Sequence, residues 1–495
     1  MNDEINLDKE SNDETENIKE MKRVKETKLI HSLITFAVLV AVMSVSIIIY
    51  GADPHVPMFV GVVAAACMAL YLGYTWEVIE TSMMDGVYRA LQSIIILAII
   101  GILIGVWIVG GIVPAMIYYG LKLLSPGMFL VATVLICSIT SLATGTSWGT
   151  MGTMGLALMG IAHGLGIPAG VAGGAIISGA YFGDKISPLS DTTNLAPAMA
   201  GTDVFTHIKF MLQSTAVTYV ITLVFFGVLS YHYSSSSANI DLSRVSQMSD
   251  GLAKAFNISP LLLLPPLIVI ISMAFKVPAI PGITLGIITG AVMGMIMQGD
   301  SCSFGNIMDC GLNGFKSQIG VQSLDDLLSS GGLTKMMNSI ALTIIAMMFG
   351  GIMEKTKQLE VVVRKLMSIT NKPVGMVLMT EVTCVVSNAT MPEQYISIVV
   401  PGRMYAPAYK SAGLHPKTLS NALESAGTVT SPLIPWNTCG VFIAGTLGIT
   451  VSQYLPFAIF NYMMPIVCFI MAGLGMTVAS KEGRSFRCVK REENK

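Results

Sequence analysis

Apolar runs near 20 residues recur along almost the whole chain, separated by short polar or Gly- and Pro-containing breaks. Runs of that length read as helices that cross a lipid bilayer. The pattern places plain spans at about 31–50, 57–73 and 91–110, with an amphipathic stretch at 74–90. A linker at 112–124 carries Pro114 and Lys122. Residues 127–166 then hold two apolar arms around the polar tip Thr144-Gly145-Thr146-Ser147-Trp148-Gly149. An apolar helix at 169–203 is interrupted between Asp184 and Asn194, and 207–230 spans again before a polar loop at 232–258. The same order then returns. Spans at 260–275, 279–298 and 338–353 precede a basic linker at 354–372. Arms at 374–387 and 394–409 flank the tip Asn388–Glu393. A helix at 417–447 breaks between Thr428 and Thr438, and a last span covers 453–478.

The letters repeat as well as the pattern. Ser187–Thr202 (SPLSDTTNLAPAMAGT) and Ser431–Thr446 (SPLIPWNTCGVFIAGT) share Ser-Pro-Leu at the start and Ala-Gly-Thr at the end. The same offset lays Thr146 on Thr390, and VGGIV at 109–113 resembles FGGIM at 349–353. If each two-armed segment is a re-entrant hairpin, each half crosses five times, an odd number, and the second half enters from the opposite side. The expected fold is therefore an all-α polytopic membrane protein of two inverted repeats, 29–231 and 259–479. Inverted repeats are a transporter architecture. With a cytoplasmic N-terminus, most Lys and Arg fall on the inner side, and few (Lys122, Arg244, Lys254, Lys316 and Lys335) on the outer. That bias matches the positive-inside rule. On this plan 1–28 is a disordered cytoplasmic tail, 232–258 an extracellular loop and 480–495 a basic cytoplasmic tail.

Composition narrows the class further. The chain has 495 residues, 53% hydrophobic and only 12% charged, about half the charge of a soluble domain. No basic groove with interleaved aromatics points to nucleic acid, and the polar, charged residues 1–28 are not expected to be a cleavable signal. The cysteines lack metal-ligand spacing. Cys302 and Cys310 share a loop in which a disulfide would be allowed. Gly-xxx-Gly runs such as Gly282/Gly286/Gly290/Gly294 read as close-packing helix faces.

The chemistry concentrates at the breaks. Non-helical chain at membrane depth survives only where protein or a water-filled cavity satisfies it. A broken helix there exposes carbonyls that suit a cation and N–H groups that suit an anion. Asp191, Thr192, Thr193 and Asn194, with Thr146 and Ser147 at the first tip, supply the oxygen ligands a hard cation such as Na⁺ prefers. Charges inside a membrane point to function; here they are Asp184, Lys185, Asp191, Glu381, Glu393 and Glu424. A carboxylate partly withdrawn from water holds its proton more tightly. If it also binds Na⁺, the two ions compete and antiport follows. Asp191 is the first choice for that residue and Asp184 the second. In the second half Asn388, Thr390, Glu393, Glu424, Trp436, Asn437 and Thr438 form a site for a cation or a substrate. Pro435 stands where Asp191 would repeat, so the halves are unequal. Gly145-Thr146-Ser147-Trp148-Gly149 matches a hydrolase nucleophile elbow, but it joins two apolar arms rather than a strand and a helix. No enzyme activity and no cofactor are expected. A channel is the competing class.

At these residues the chain resembles a known family. GTSWGTMGTMGLALMGIAHGLGIP (145–168), AIISGAYFGDKISPLSDTTNLAPAMAGTDVFTHIKFML (175–212) and SNALESAGTVTSPLIPWNTCGVFIAGTLGI (420–449) are similar to the NhaC family of Na⁺/H⁺ antiporters. The resemblance implies Na⁺ efflux driven by proton entry at the cytoplasmic membrane. It also implies an elevator-type transport domain carrying the paired hairpins 127–166 and 374–409 and the broken helices 169–203 and 417–447. Carried over by motif position, Thr146, Ser147, Asp191, Thr192, Thr193 and Asn194 are its candidate cation ligands. The family includes exchangers of malate and lactate, with amino acids a further class, so a small carboxylate is the alternative substrate. A homodimer in the lipid bilayer is also implied by the resemblance.

Overall fold

Residues 24–236 and 242–483 are described by a computed structural model. The described residues are helical but for turns and an isolated bridge between Leu414 and Ser480. In chain order the helices are α1 Leu29–Ser44, α2 His55–Leu72, α3 Trp76–Arg89, α4 Leu91–Val109, α5 Ile112–Leu123 and α6 Pro126–Thr144. α7 Ser147–Thr150, a π turn Met151–Gly155 and α8 Leu156–Gly164 run on as one arm. Then follow α9 Ala169–Ile186, α10 Asp191–Ala200, α11 Val204–Ser236, α12 Leu242–Ala255, α13 Leu264–Ala274, α14 Ala279–Gln298, α15 Phe304–Asn313 and α16 Gln322–Leu328. The remainder are α17 Leu333–Lys355, α18 Gln358–Met367, α19 Pro373–Thr390, α20 Ile396–Ser411, α21 Pro416–Leu423 with a π turn Glu424–Thr428, α22 Thr438–Leu447, α23 Val451–Tyr454 and α24 Ile459–Gly473.

Among the described residues six helices are long and apolar enough to cross a bilayer, and two bent pairs bring the number to as many as eight. They include α6, expected as one arm of a re-entrant hairpin; its 19 residues reach about 28 Å. The spans expected at 31–50 and 453–478 are shorter. α1 gives way to a π turn at Val45–Ile49, and α24 begins only at Ile459, after the Pro-containing turn Leu455–Phe457. α11 and α14 are the most lipid-like, with 28% of their apolar windows buried. On α11 Val217, Val220, Val224 and Val228 are exposed at helical spacing, the stripe a bilayer would cover.

Two sequence expectations change, and one question the sequence left open is answered. The segment 232–258 is not a loop: α11 runs on to Ser236 and α12 fills 242–255, leaving 237–241 outside the described residues. The pattern there is polar yet strongly amphipathic, which reads as loop by composition and as helix by period. Most of the expected tails, 1–23 and 484–495, also lies outside them, but the end of the first tail is tied down. The Lys25 N–H donates to Leu72 O (2.8 Å) and the Thr27 hydroxyl to Thr356 O (2.7 Å). Cys302 and Cys310 are free thiols, buried with Val106, Val109 and Ile307.

Small residues bring α9 against α6. A Cβ at Gly179 would lie 2.4 Å from Val134 O, and one at Gly183 2.4 Å from Ser138 O. α1, α2, α3 and α17 share an apolar cluster around Leu39, Met58, Ile79 and Phe349, which Val441 of α22 joins. The larger core joins α4–α9 to α19–α24.

Between α15 and α17, Asp325 organises the loop. Its carboxylate accepts the Ser317 hydroxyl (2.6 Å) and the N–H groups of Ile319 (2.7 Å) and Gly320 (3.0 Å). These bonds, the Ser317 hydroxyl first, hold its carboxyl below the usual range. A depressed folded value stabilises fully above the unfolded value of about 3.9 and is lost as pH falls through the folded one. Amides at 317–320 are therefore expected to lose hydrogen-exchange protection in that acid window. In Asp325→Asn they are expected to lose it already at neutral pH.

Candidate cation site at the first hairpin tip

Two local breaks build the site. α6 ends at Gly145, left-handed at φ +70°. Thr146 then caps α7, its hydroxyl oxygen accepting the Gly149 N–H (3.2 Å). Across from it, α9 stops at Ile186 because Pro188 cannot continue the helix. The chain restarts at Asp191 with Ser190 as its cap. The break is laced to itself. The Thr193 hydroxyl donates to the carbonyls of Asp184 and Lys185 (both 3.0 Å), and the Asn194 amide to Pro188 O (2.9 Å) and Ser190 O (2.6 Å). Ser187 ties the break to α6 through its hydroxyl on Leu142 O (2.8 Å).

The hairpin tip meets the break at one carboxylate. Asp184 is 5% exposed, and its Oδ2 accepts both the Ser147 hydroxyl (2.6 Å) and the Ser147 N–H (3.1 Å). Donors that converge on a buried charged group each contribute about 1.5–3 kcal/mol. Asp191 lies seven residues on and is exposed, with the Tyr395 hydroxyl 3.5 Å away. Both carboxylates face a cavity of about 550 Å³. Of the residues expected from the sequence, Thr146, Ser147, Asp184, Asp191, Thr192, Asn194 and Glu393 line it. Thr193 does not, its hydroxyl being committed to the end of α9.

The second-half residues part company. Glu393 reaches the cavity, with its Oε2 accepting the N–H groups of Tyr395 (2.7 Å) and Ile396 (3.3 Å) at the start of α20. Asn388, Trp436 and Asn437 form a closed lattice. Asn388 donates to Gly427 O (2.8 Å), Trp436 to Ala389 O (2.8 Å) and Asn437 to Asn388 O (3.0 Å). The Thr438 N–H goes to Pro392 O (2.9 Å) and the Thr390 hydroxyl to Val386 O (2.8 Å). None of these five lines the cavity. Glu424 is fully buried and accepts the Thr192 hydroxyl at 3.3 Å, so it touches the first break from behind. The halves also meet where Trp148 stacks on Phe442, with centroids 4.2 Å apart.

The sequence reading missed Gln92, Ser93, Lys276 and Tyr395 on the cavity wall. Lys276 carries φ +65° at the turn after α13, which brings a cation to the wall. Nothing in the local sequence marks this. Ser147 has its hydroxyl proton directed at Asp184, which explains the elbow-like motif without a nucleophile. Ser147→Ala keeps the backbone bond and removes the other. Half-saturation for Na⁺ in transport is expected to rise about tenfold, the equivalent of one charged hydrogen bond.

The Na⁺/H⁺ antiporter family profile matches residues 179–476, most of the chain and both breaks. The chain belongs to this family. It is 37% identical over 453 residues to the Na⁺/H⁺ antiporter NhaC of Alkalihalophilus pseudofirmus, covering 91% of this chain and 96% of that protein. A malate-2H⁺/Na⁺-lactate antiporter of Bacillus subtilis is 36% identical, over 88% of this chain and 92% of its own. The arginine/ornithine antiporter ArcD of Halobacterium salinarum is 35% identical over 91% and 93%. As a member of the family, the chain is a multi-pass membrane transporter rather than a catalyst.

Proposed function

We propose that this antiporter exchanges Na⁺ for H⁺ across the cytoplasmic membrane, with Asp184 as the carboxylate that holds one ion or the other. The observation that carries the reading is the grip of Ser147 on Asp184 at the wall of a polar cavity. Asp191 serves as the outer carboxylate, drawing Na⁺ in from the open side. Thr146, Thr192 and Asn194 complete an oxygen-rich surround suited to a hard cation. The inverted plan, with both termini cytoplasmic, accounts for the charge bias of the loops. An elevator motion would carry the broken segments along the apolar cluster of α1, α2, α3 and α17, which Val441 of the second broken helix joins.

A second reading has one observation in its favour. A cavity of about 550 Å³ lies within the range that holds small organic ligands, and Lys276 on its wall offers a partner for a carboxylate. The named activities of the relatives from Bacillus subtilis and Halobacterium salinarum belong to that class. The test is a pH-dye assay in proteoliposomes. A Na⁺ pulse is expected to move protons with no organic solute present. Proton movement only when malate, lactate or arginine is added would favour the second reading.

A further inference from the structure

Lys185 is among the largest fully buried side chains in the protein, with 0% exposure. It follows Asp184 on α9, yet it does not line the cavity; the helix turns it towards the second half. Its ammonium donates to Ser425 Oγ at 3.3 Å. Ser425 directly follows Glu424, and Glu424, Glu381 and Cys468 act electrostatically on the ammonium, as the ammonium does on His207. Among the described residues the direct ion pairs are Arg89–Glu354 and Arg364–Glu360, so Lys185 acts on these carboxylates without touching them. Glu424 Oε2 and Glu381 Oε1 are buried and lack any hydrogen-bond partner. An isolated buried charge is expensive and is kept only where an opposite charge compensates it.

Position gives this arrangement its meaning. Glu424 opens the π turn of the second broken helix, and its other oxygen accepts Thr192 from the first. The first half thus sends a hydroxyl to Glu424 and an ammonium to the adjacent residue, Ser425. We propose that Lys185 is the resident countercation of Glu424, filling electrostatically the role a second Na⁺ would have there. The exchanger then needs Na⁺ only at the Asp184 side. The proposal rests on the Na⁺/H⁺ reading above and adds a residue that sets how many cations are bound. It also explains why the second break manages without a counterpart of Asp191.

The experiment compares Lys185→Met, Glu424→Gln and the double variant, each as the full chain. Two readouts are taken: melting temperature in detergent across a NaCl series matched with choline chloride, and the Na⁺ dependence of proton release in proteoliposomes. Lys185→Met is expected to melt several degrees lower and to regain stability with NaCl more than wild type does. Its Na⁺ response is expected to steepen from a Hill coefficient of about 1 towards about 2, the number of sites then filled. The double variant is expected to recover both the melting temperature and the shallow response. A Lys185→Met protein with unchanged melting and Hill coefficient would overturn the proposal, as would a double variant no more stable than Lys185→Met. The melting series needs no transport, so a failure of the Na⁺/H⁺ reading in wild type remains distinguishable.

Discussion

Asp184→Asn is expected to abolish Na⁺-driven proton release while the protein still inserts and melts near the wild-type temperature. Asparagine keeps the size of the side chain and an oxygen that can accept from the Ser147 hydroxyl and N–H. The hairpin tip therefore stays docked on the break. What disappears is the negative charge and the ability to take up a proton, and both are needed if one group binds either ion. The loss should reach the assay floor, at least about 100-fold, because Asp184 is the cavity carboxylate on which the first hairpin tip closes, through the Ser147 hydroxyl and N–H. Asp191→Asn makes the informative contrast. Asp191 is exposed and meets only the Tyr395 hydroxyl. Its loss is expected to raise half-saturation for Na⁺ several-fold and to leave the maximal rate largely intact. Dye-detected proton release in proteoliposomes, with Na⁺ varied over each variant, checks both.

Gly145→Val is the second large effect. Gly145 sits at φ +70°, where a side chain costs about 1–2 kcal/mol. Space matters more. A Cβ there would lie 2.7 Å from both the carbonyl carbon and the Cβ of Leu189 and 2.9 Å from its carbonyl oxygen. The tip can accept valine only by moving away from the 187–190 break, which separates Ser147 from Asp184. A shift near 1 Å in a positioned group costs on the order of 100-fold in rate, and that is the fall expected in exchange. Gly166→Ala is the control for backbone strain alone. It shares the left-handed backbone at φ +72°, but nothing lies within 4 Å of its Cβ. Gly166→Ala should transport normally with a slightly lower melting temperature, whereas Gly145→Val should lose transport.

These expectations show what the sequence carried and where it ran out. The apolar runs and the paired Ser-Pro-Leu breaks marked the helices and both interruptions, since proline and glycine act locally. The meeting of Thr146–Ser147 with the Asp184–Asn194 break was also legible, because small hydroxyl residues at membrane depth have few other uses. The difference in burial between the two carboxylates was not. Asp191 sits in the more conspicuous motif, but burial and donors come from the tip across the way, a tertiary fact. The role of Thr193 was hidden for the same reason, since a hydroxyl that caps a helix end and one that binds an ion look alike in the letters. Lys276 reached the cavity wall through a left-handed turn that no glycine announces. In the second half Asn388 and Asn437 looked like ligands because amides suit ions. Their partners in the fold are each other and nearby carbonyls.

Competition of Na⁺ and H⁺ for a single carboxylate is the centre of the proposed exchange. The measurement that tests it most directly is the Na⁺ concentration for half-maximal exchange, taken across a pH series in proteoliposomes. Competition requires the apparent constant to scale inversely with the fraction of the carboxylate free of protons. On the acid side half-saturation should therefore rise about tenfold for each unit of pH lost, at constant maximal rate, and flatten at alkaline pH. A half-saturation that stays constant with pH while the maximal rate falls would contradict the account, placing the proton and Na⁺ on different groups.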